Sequence, residues 1–324
     1  MTRRPVPPAA GLAALAAFAA TVDFAAPAGD IGAPRSEAPW AEADEGWEPP
    51  LFEEAQWWRA PEEWPEEARR LFVPLGPFDA ATDFLCEAPP ASKLAAALYE
   101  ALGALPLNEF DLQALLYPGA SHLLTARQLR QLLAFGGSRA PKSVLDVGAG
   151  DGCVTEQLRK LKAEVVALET SRGMAWRLRR LKNFEAHCGD LAAGALPGRS
   201  FELVCLLNVL DRCSQPQALL AAAREKAPLL LLATPLPFQA SYFGPETSWT
   251  GEVPEPLGDS DAWPGDWAGD ALRLLRAVLP QSGWRPLAVS RVPYLTGGDE
   301  EGAVELDDLV VLAERIVFSG ADSG

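Results

Sequence analysis

Apolar positions along the chain fall into two alternating kinds of run, and that alternation predicts a layered α/β fold. Short apolar blocks recur at 144–147, 164–168, 184–188, 201–207 and 229–233. Each suits a strand covered on both faces, as in a parallel sheet. Between them, stretches at 154–162, 174–181, 215–226 and 271–279 repeat apolar residues at helical spacing. Further strands are expected at 284–292 and 304–318. Upstream, 91–135 is helical in pattern: Leu94, Ala97, Leu98 and Leu102 share one face, then Leu129, Leu132 and Leu133, with Thr125 as N-cap. Another helical turn or two is expected at 108–116. The expectation is an α/β, Rossmann-like fold: seven mostly parallel strands, helices on both faces, and a helical cap ahead of the sheet.

The first strand runs into Asp146-Val-Gly-Ala-Gly-Asp-Gly152, with glycines at 148, 150 and 152. A turn this tight needs positive φ or close backbone approach, which glycine permits cheaply. A dinucleotide loop offers N–H groups to a pyrophosphate and is spaced Gly-x-Gly-x-x-Gly. Here Asp146 and Asp151 would repel a pyrophosphate but suit a methionine ammonium, so the loop reads as one for S-adenosylmethionine. An ordinary glycine turn and a dinucleotide site are the alternatives. Glu169, at the end of the second strand, is placed to accept from two ribose hydroxyls; otherwise it is a surface glutamate. Asp190, after the third strand, is placed to reach an adenine amino group. The cofactor set is thus Asp146, Gly148, Gly150, Asp151, Gly152, Glu169 and Asp190, joined by Asn208.

After the fourth strand comes Asn208-Val-Leu-Asp211-Arg-Cys213. In this fold that strand end faces the reactive end of the cofactor. Asn208 offers a donor and an acceptor. Asp211 can orient a nucleophile or take its proton, unless it merely caps the next helix. Arg291 and Tyr294, between the two closing strands, are placed to project over the site; a turn anchored by a buried tyrosine is the alternative.

Composition narrows the partners. Net charge is −16 and the pI about 4.6, which argues against loose binding to nucleic acid. Five cysteines without a Cys-x-x-Cys pair, and only His122 and His187, imply no zinc site and no disulfide framework. Residues 1–30 resemble a secretory or targeting segment: Arg3 and Arg4, an apolar stretch, then small residues. That run is too short for a stable membrane span. It points to the endoplasmic reticulum and secretory pathway, with another organelle or the cytoplasm as alternatives. The Pro/Glu/Trp-rich region 31–80 is expected to pack on the main domain, with gripping a partner as the alternative, since disordered linkers rarely carry so many aromatics. A cap at 81–140 and a core at 141–320 complete the division. The excursion 235–270, with Trp249, Trp263 and Trp267, reads as a substrate-side flap. A monomer is expected.

Three segments carry a closer likeness: Leu145 to Thr155, Leu206 to Pro216, and Arg291 to Leu295. Together they resemble the DREV (methyltransferase-like protein 9) family, over about residues 80–318; the stretch from Ser121 to Leu133 resembles that family's helix ahead of the loop. The resemblance implies S-adenosylmethionine-dependent methylation of protein histidine at the pros nitrogen (Nδ1), in His-x-His sequences. It implies Asp146, Gly148, Gly150, Asp151 and Glu169 as cofactor residues, and Asn208, Asp211, Arg291 and Tyr294 on the substrate side. Asn208, Asp211 and Tyr294 would be catalytic, with no metal. Rival readings are a methyltransferase of a small metabolite, a nicotinamide oxidoreductase, and a non-catalytic module on the same fold.

Overall fold

The computed structural model describes residues 55–87, 109–116, 119–240, 255–257, 263–299 and 302–317. The targeting segment expected at 1–30, Trp40, Trp47, the helix expected at 91–102 and the middle of the 235–270 excursion with Trp249 lie outside the described residues. Helices α1 (Glu66–Arg69), α2 (Asp79–Glu87) and α3 (Glu109–Leu116) lead to β1 (Ala120–His122) and α4 (Ala126–Phe135). Next come β2 (Ser143–Val147), α5 (Cys153–Arg159), β3 (Glu164–Glu169), α6 (Arg172–Arg180), β4 (Glu185–Cys188) and β5 (Leu203–Leu207). The chain then forms α7 (Pro216–Lys226), β6 (Leu229–Pro235), α8 (Trp267–Arg273), β7 (Trp284–Asp299) and β8 (Gly302–Arg315).

Among the described residues the strands form one sheet in the order β1-β7-β8-β6-β5-β2-β3-β4. Strands β2 to β6 are parallel to their neighbours within that set, while β8, β7 and β1 are antiparallel additions. The order reverses between β2 and β5. Open α/β sheets bind ligands beyond the strand ends at such a reversal, and both the glycine loop and Asn208 lie there.

The sheet has eight strands rather than seven. β7 continues to Asp299, past its expected end at 292, and its edge takes up β1, with Ala120 opposite Gly297 and His122 opposite Leu295. Arg291 and Tyr294 therefore sit inside a strand, not in a connecting turn. The segment from Ser121 is likewise not helical from its start. Its helix begins at Ala126, where the Thr125 hydroxyl accepts from the Gln128 N–H and Gln128 Oε1 accepts from the Thr125 N–H, a reciprocal N-terminal cap.

From Ala55 onward the tryptophan-rich segment packs into the core. The Leu71–Val73 backbone pairs with Val289 of β7. Trp64 is 1% exposed, stacks on Trp267 with ring centroids 5.9 Å apart, and donates from Nε1 to the Ala268 carbonyl at 3.0 Å. Buried aromatics of this kind are worth about 3–5 kcal/mol on truncation. Trp267, expected on the flap, is thus a core residue. The base of the excursion is pinned by the buried Asp270, which accepts from the Phe238 and Gly265 N–H groups at 2.8 and 3.0 Å. The arginine face of α6, expected to be solvated, is so at Arg172, Arg179 and Arg180 but not at Arg177. Arg177 is buried and donates to the Ala114 carbonyl at 3.1 Å, holding α3.

Candidate active site

A cleft of about 260 Å³ opens at the sheet reversal. Its floor is the strand ends of β2 and β5, and its sides come from β3, β7 and β1. Helix α3 contributes Phe110 and Gln113 as a cover. That cover is fastened by Asp111, whose Oδ1 accepts from Ser171 Oγ at 2.6 Å and from the Gly173 N–H at 2.8 Å. A Cβ on Gly173 would lie 2.8 Å from the Asp111 Cα, so α3 approaches over a glycine.

The loop follows from its sequence. Gly148 has φ +68° and no space for a Cβ, which would meet Val209 at 2.5 Å. Its N–H bonds the Leu168 carbonyl at 2.8 Å. Gly150 faces the cleft with φ +52° and donates to Glu169 Oε2 at 2.9 Å. Asp151 Oδ1 accepts from Ser121 Oγ at 3.0 Å and from the Cys153 N–H at 2.7 Å, tying β1 to the loop. Gly152 plays a different part from the one expected: its missing Cβ makes room for Leu178, 2.8 Å away, and it does not line the cleft. Asp146 is 2% exposed, and its Oδ2 accepts from Thr155 Oγ1 at 2.7 Å. Burial pushes its pKa up to about 7; the Thr155 hydrogen bond opposes the shift, and the Glu169 charge adds to it.

At the other end, Asn208 holds φ 56°, a left-handed conformation that asparagine tolerates better than most residues. Its N–H bonds the Ala233 carbonyl at 2.9 Å. Its side-chain amide stands against Tyr294 and Asp308, close enough to favour their ionised forms, but neither amide atom reaches good hydrogen-bond geometry. Asp211 lies just behind the lining, 4% exposed, with Oδ2 3.3 Å from Arg212 Nε and Oδ1 unpaired. Burial raises its pKa and the Arg212 charge opposes the rise. Burial likewise pushes the Tyr294 hydroxyl up to about 12, so it stays protonated.

Of the residues expected from sequence, Asp146, Gly148, Gly150, Asp151, Glu169, Asn208 and Tyr294 converge on the cleft. Asp190 and Arg291 do not. Asp190 accepts from the Ala192 N–H at 2.8 Å on an exposed turn. Arg291 pairs with Asp307 and lies 4.3 Å from the Trp267 ring and 5.7 Å from the Trp57 ring, bracing the N-terminal segment. Sequence reasoning missed Ser121, Arg212 and Thr296, which line the cleft, and the buried Asp308. Nothing along β8 singles out Asp308 in the sequence, because both faces of that strand are buried and no polar–apolar alternation marks an inward-facing acid.

The lining suits S-adenosylmethionine. Three carboxyl groups, Asp146, Asp151 and Glu169, face the cleft against one cation, Arg212. A ligand with a sulfonium and an ammonium against one carboxylate complements that balance, whereas a pyrophosphate opposes it. The unpaired Asn208 amide supplies the unfilled polar contacts that a ligand site requires. Among the described residues, no cluster of three or more His, Cys, Asp or Glu side chains could hold a metal. No described helix is long and apolar enough to cross a membrane.

The DREV methyltransferase family model matches residues 57–315. Solved structures similar to the chain include a putative RNA methyltransferase from Pyrococcus horikoshii, 13% identical, covering 60% of this chain and 83% of that one, with a TM-score of 0.41. Another is an S-adenosylmethionine-dependent methyltransferase from Methanosarcina mazei, 10% identical, covering 56% and 95%, with a TM-score of 0.40. A third is the magnesium protoporphyrin IX methyltransferase from Synechocystis with bound SAH, 16% identical, covering 59% and 81%, with a TM-score of 0.36.

Proposed function

The chain belongs to the DREV methyltransferase family, and from that premise we infer that it methylates protein histidine at the pros nitrogen, Nδ1, in His-x-His sequences. The methyl donor is S-adenosylmethionine, which when bound supplies an electrophilic methyl group on a sulfonium that departs as a neutral thioether. Asp146, Asp151, Glu169 and the Gly148–Gly150 backbone would hold it, with α3 as the cover.

The observation that carries the substrate reading is the buried, unpaired amide of Asn208 at the end of β5, backed by Asp211. A neutral imidazole attacks through whichever nitrogen lacks the proton. The site must therefore choose the tautomer. Asn208 Oδ1 accepts from the ring Nε2–H, which leaves the Nδ1 lone pair free to form the new N–CH₃ bond. The product ring is then an imidazolium, which gives up its Nε2 proton afterwards to Asp211 or solvent. Asp211 also offsets the Arg212 charge, which would otherwise oppose the developing cation. Tyr294, held protonated, closes the side of the ring site. Alignment of nucleophile and methyl group supplies most of the acceleration.

The test is transfer of labelled methyl from S-adenosylmethionine to a His-x-His peptide and to its alanine-substituted control. Transfer to the first alone supports the reading. Tight cofactor binding with transfer to neither moves the substrate to a small metabolite or another protein site.

A further inference from the structure

Among the described residues that line the cleft, Arg212 is the one cation. A tight turn brings it there. After β5 the Arg212 N–H bonds the Val209 carbonyl at 3.0 Å, which folds the segment back and puts Asn208, Val209 and Arg212 on one wall. That turn abuts the glycine loop, since a Cβ on Gly148 would lie 2.5 Å from a Val209 methyl. Arg212 thus stands beside the loop that would hold the cofactor. Asp211, behind the wall, accepts from Arg212 Nε at 3.3 Å. Both Nη groups of Arg212 are left without a partner among the described residues. The side chain is 35% exposed, open enough to meet a ligand. Asp146 and Glu169 lie on the β2–β3 side of the cleft, and Arg212 follows β5 on the other side of β2. The cleft is therefore anionic across β2 and β3, with its single cation beyond β5. A ligand with cationic groups and one carboxylate has a partner for each, provided the carboxylate meets Arg212.

We propose that Arg212 is a cofactor-binding residue whose Nη groups pair with the carboxylate of S-adenosylmethionine, and that the cleft thereby selects a methyl donor with a free carboxylate. A guanidinium meets a carboxylate through two parallel, charge-assisted N–H···O bonds. Lysine would supply the charge without that fork. Asp211 engages only Nε, so the fork is free for the ligand. Without Arg212 the carboxylate would enter a lining whose remaining ionisable side chains, Asp146, Asp151, Glu169 and Tyr294, carry no positive charge. The demethylated product, S-adenosylhomocysteine, keeps the same carboxylate. Arg212 therefore grips donor and product alike, which contributes affinity and selectivity rather than acceleration of the transfer step. The proposal rests on the reading of the cleft as an S-adenosylmethionine site and not on which side chain is methylated.

Arg212→Gln and Arg212→Lys in the full chain test this, with wild type beside them. Calorimetry gives Kd for three ligands: S-adenosylmethionine, S-adenosylhomocysteine and decarboxylated S-adenosylmethionine. Wild type should bind the decarboxylated form about tenfold or more weakly than S-adenosylmethionine. In Arg212→Gln the two ligands with a carboxylate should weaken together by about tenfold or more, while the decarboxylated form binds no more weakly than to wild type. The selectivity is then lost. Arg212→Lys should keep part of it. An equal selectivity in wild type and Arg212→Gln would overturn the proposal; if the variant then raises only the KM of a peptide acceptor, Arg212 belongs to the acceptor's site instead. Equal weakening of all three ligands in both variants would also overturn it, by making Arg212 a fold residue. A wild-type protein that binds none of the three overturns the cofactor reading, and this proposal with it. No acceptor is present in these measurements, so a failure of histidine methylation does not touch their outcome.

Discussion

Replacing Asp146 with asparagine should stabilise the protein, and by an amount that depends on pH. The carboxyl is 2% exposed, and burial is the main cause raising its pKa from 3.8 to about 7. In the unfolded chain it ionises at the ordinary value. Between the two values the unfolded state binds fewer protons than the native state, so this group's contribution to stability falls as pH rises through that window. Above pH 7 the penalty levels off at roughly 3 pKa units, or about 4 kcal/mol; at pH 5 it is only about 1.5 kcal/mol. Asparagine keeps an oxygen for the Thr155 hydroxyl, 2.7 Å from Asp146 Oδ2, and has no charge to bury. Chemical denaturation of both proteins without cofactor, at pH 5 and pH 8, gives the stability difference at each pH. The gain in Asp146→Asn should be larger at pH 8 by about 2.5 kcal/mol. Other titrating groups are common to both proteins and cancel. A gain that is the same at both pH values would refute the account of Asp146 as a carboxylate strained by burial.

Because a bound cation favours the ionised Asp146, S-adenosylmethionine should release a proton on binding near neutral pH. Affinity should then be about tenfold tighter at pH 8 than at pH 6, and calorimetric heats should vary with the buffer's ionisation enthalpy; heats independent of buffer contradict this. Asp211→Ala should leave cofactor Kd within about twofold while kcat falls about 100-fold, since Arg212 is left without its neutralising partner. Lost cofactor binding in a folded protein would make Asp211 structural instead. Asp111→Ala removes two hydrogen bonds that fasten α3 over the cleft and should weaken cofactor binding about tenfold; unchanged affinity would show that α3 does not act as the cover.

The parallel core strands were legible because each is an apolar run of its own, and the glycine loop with the polar residues after the strand ends placed the site; the reversal of strand order that brings these together is visible only in the sheet. β1 was not legible: Ala-Ser-His carries no strand signal, and it pairs only because β7 extends far enough to offer an edge. Arg291 was misplaced for a related reason. Its partners Trp57 and Trp267 are remote in sequence, and nothing local distinguishes an arginine braced between tryptophans from one aimed at substrate. The core glycine loop could be read from residue types, because φ and charge requirements are local. Gly152 shows the boundary of that logic, since its neighbour Leu178 belongs to another helix. Asp308 was hidden because both faces of β8 are buried, which erases the polar–apolar alternation that would otherwise mark an inward-facing acid.

The measurement that bears most directly on the account is identification of the methylated amino acid itself. A His-x-His peptide is incubated with the full chain and methyl-labelled S-adenosylmethionine, hydrolysed completely, and resolved against authentic pros- and tele-methylhistidine. The account predicts that the label runs with pros-methylhistidine. Label on tele-methylhistidine, or on any residue other than histidine, contradicts it.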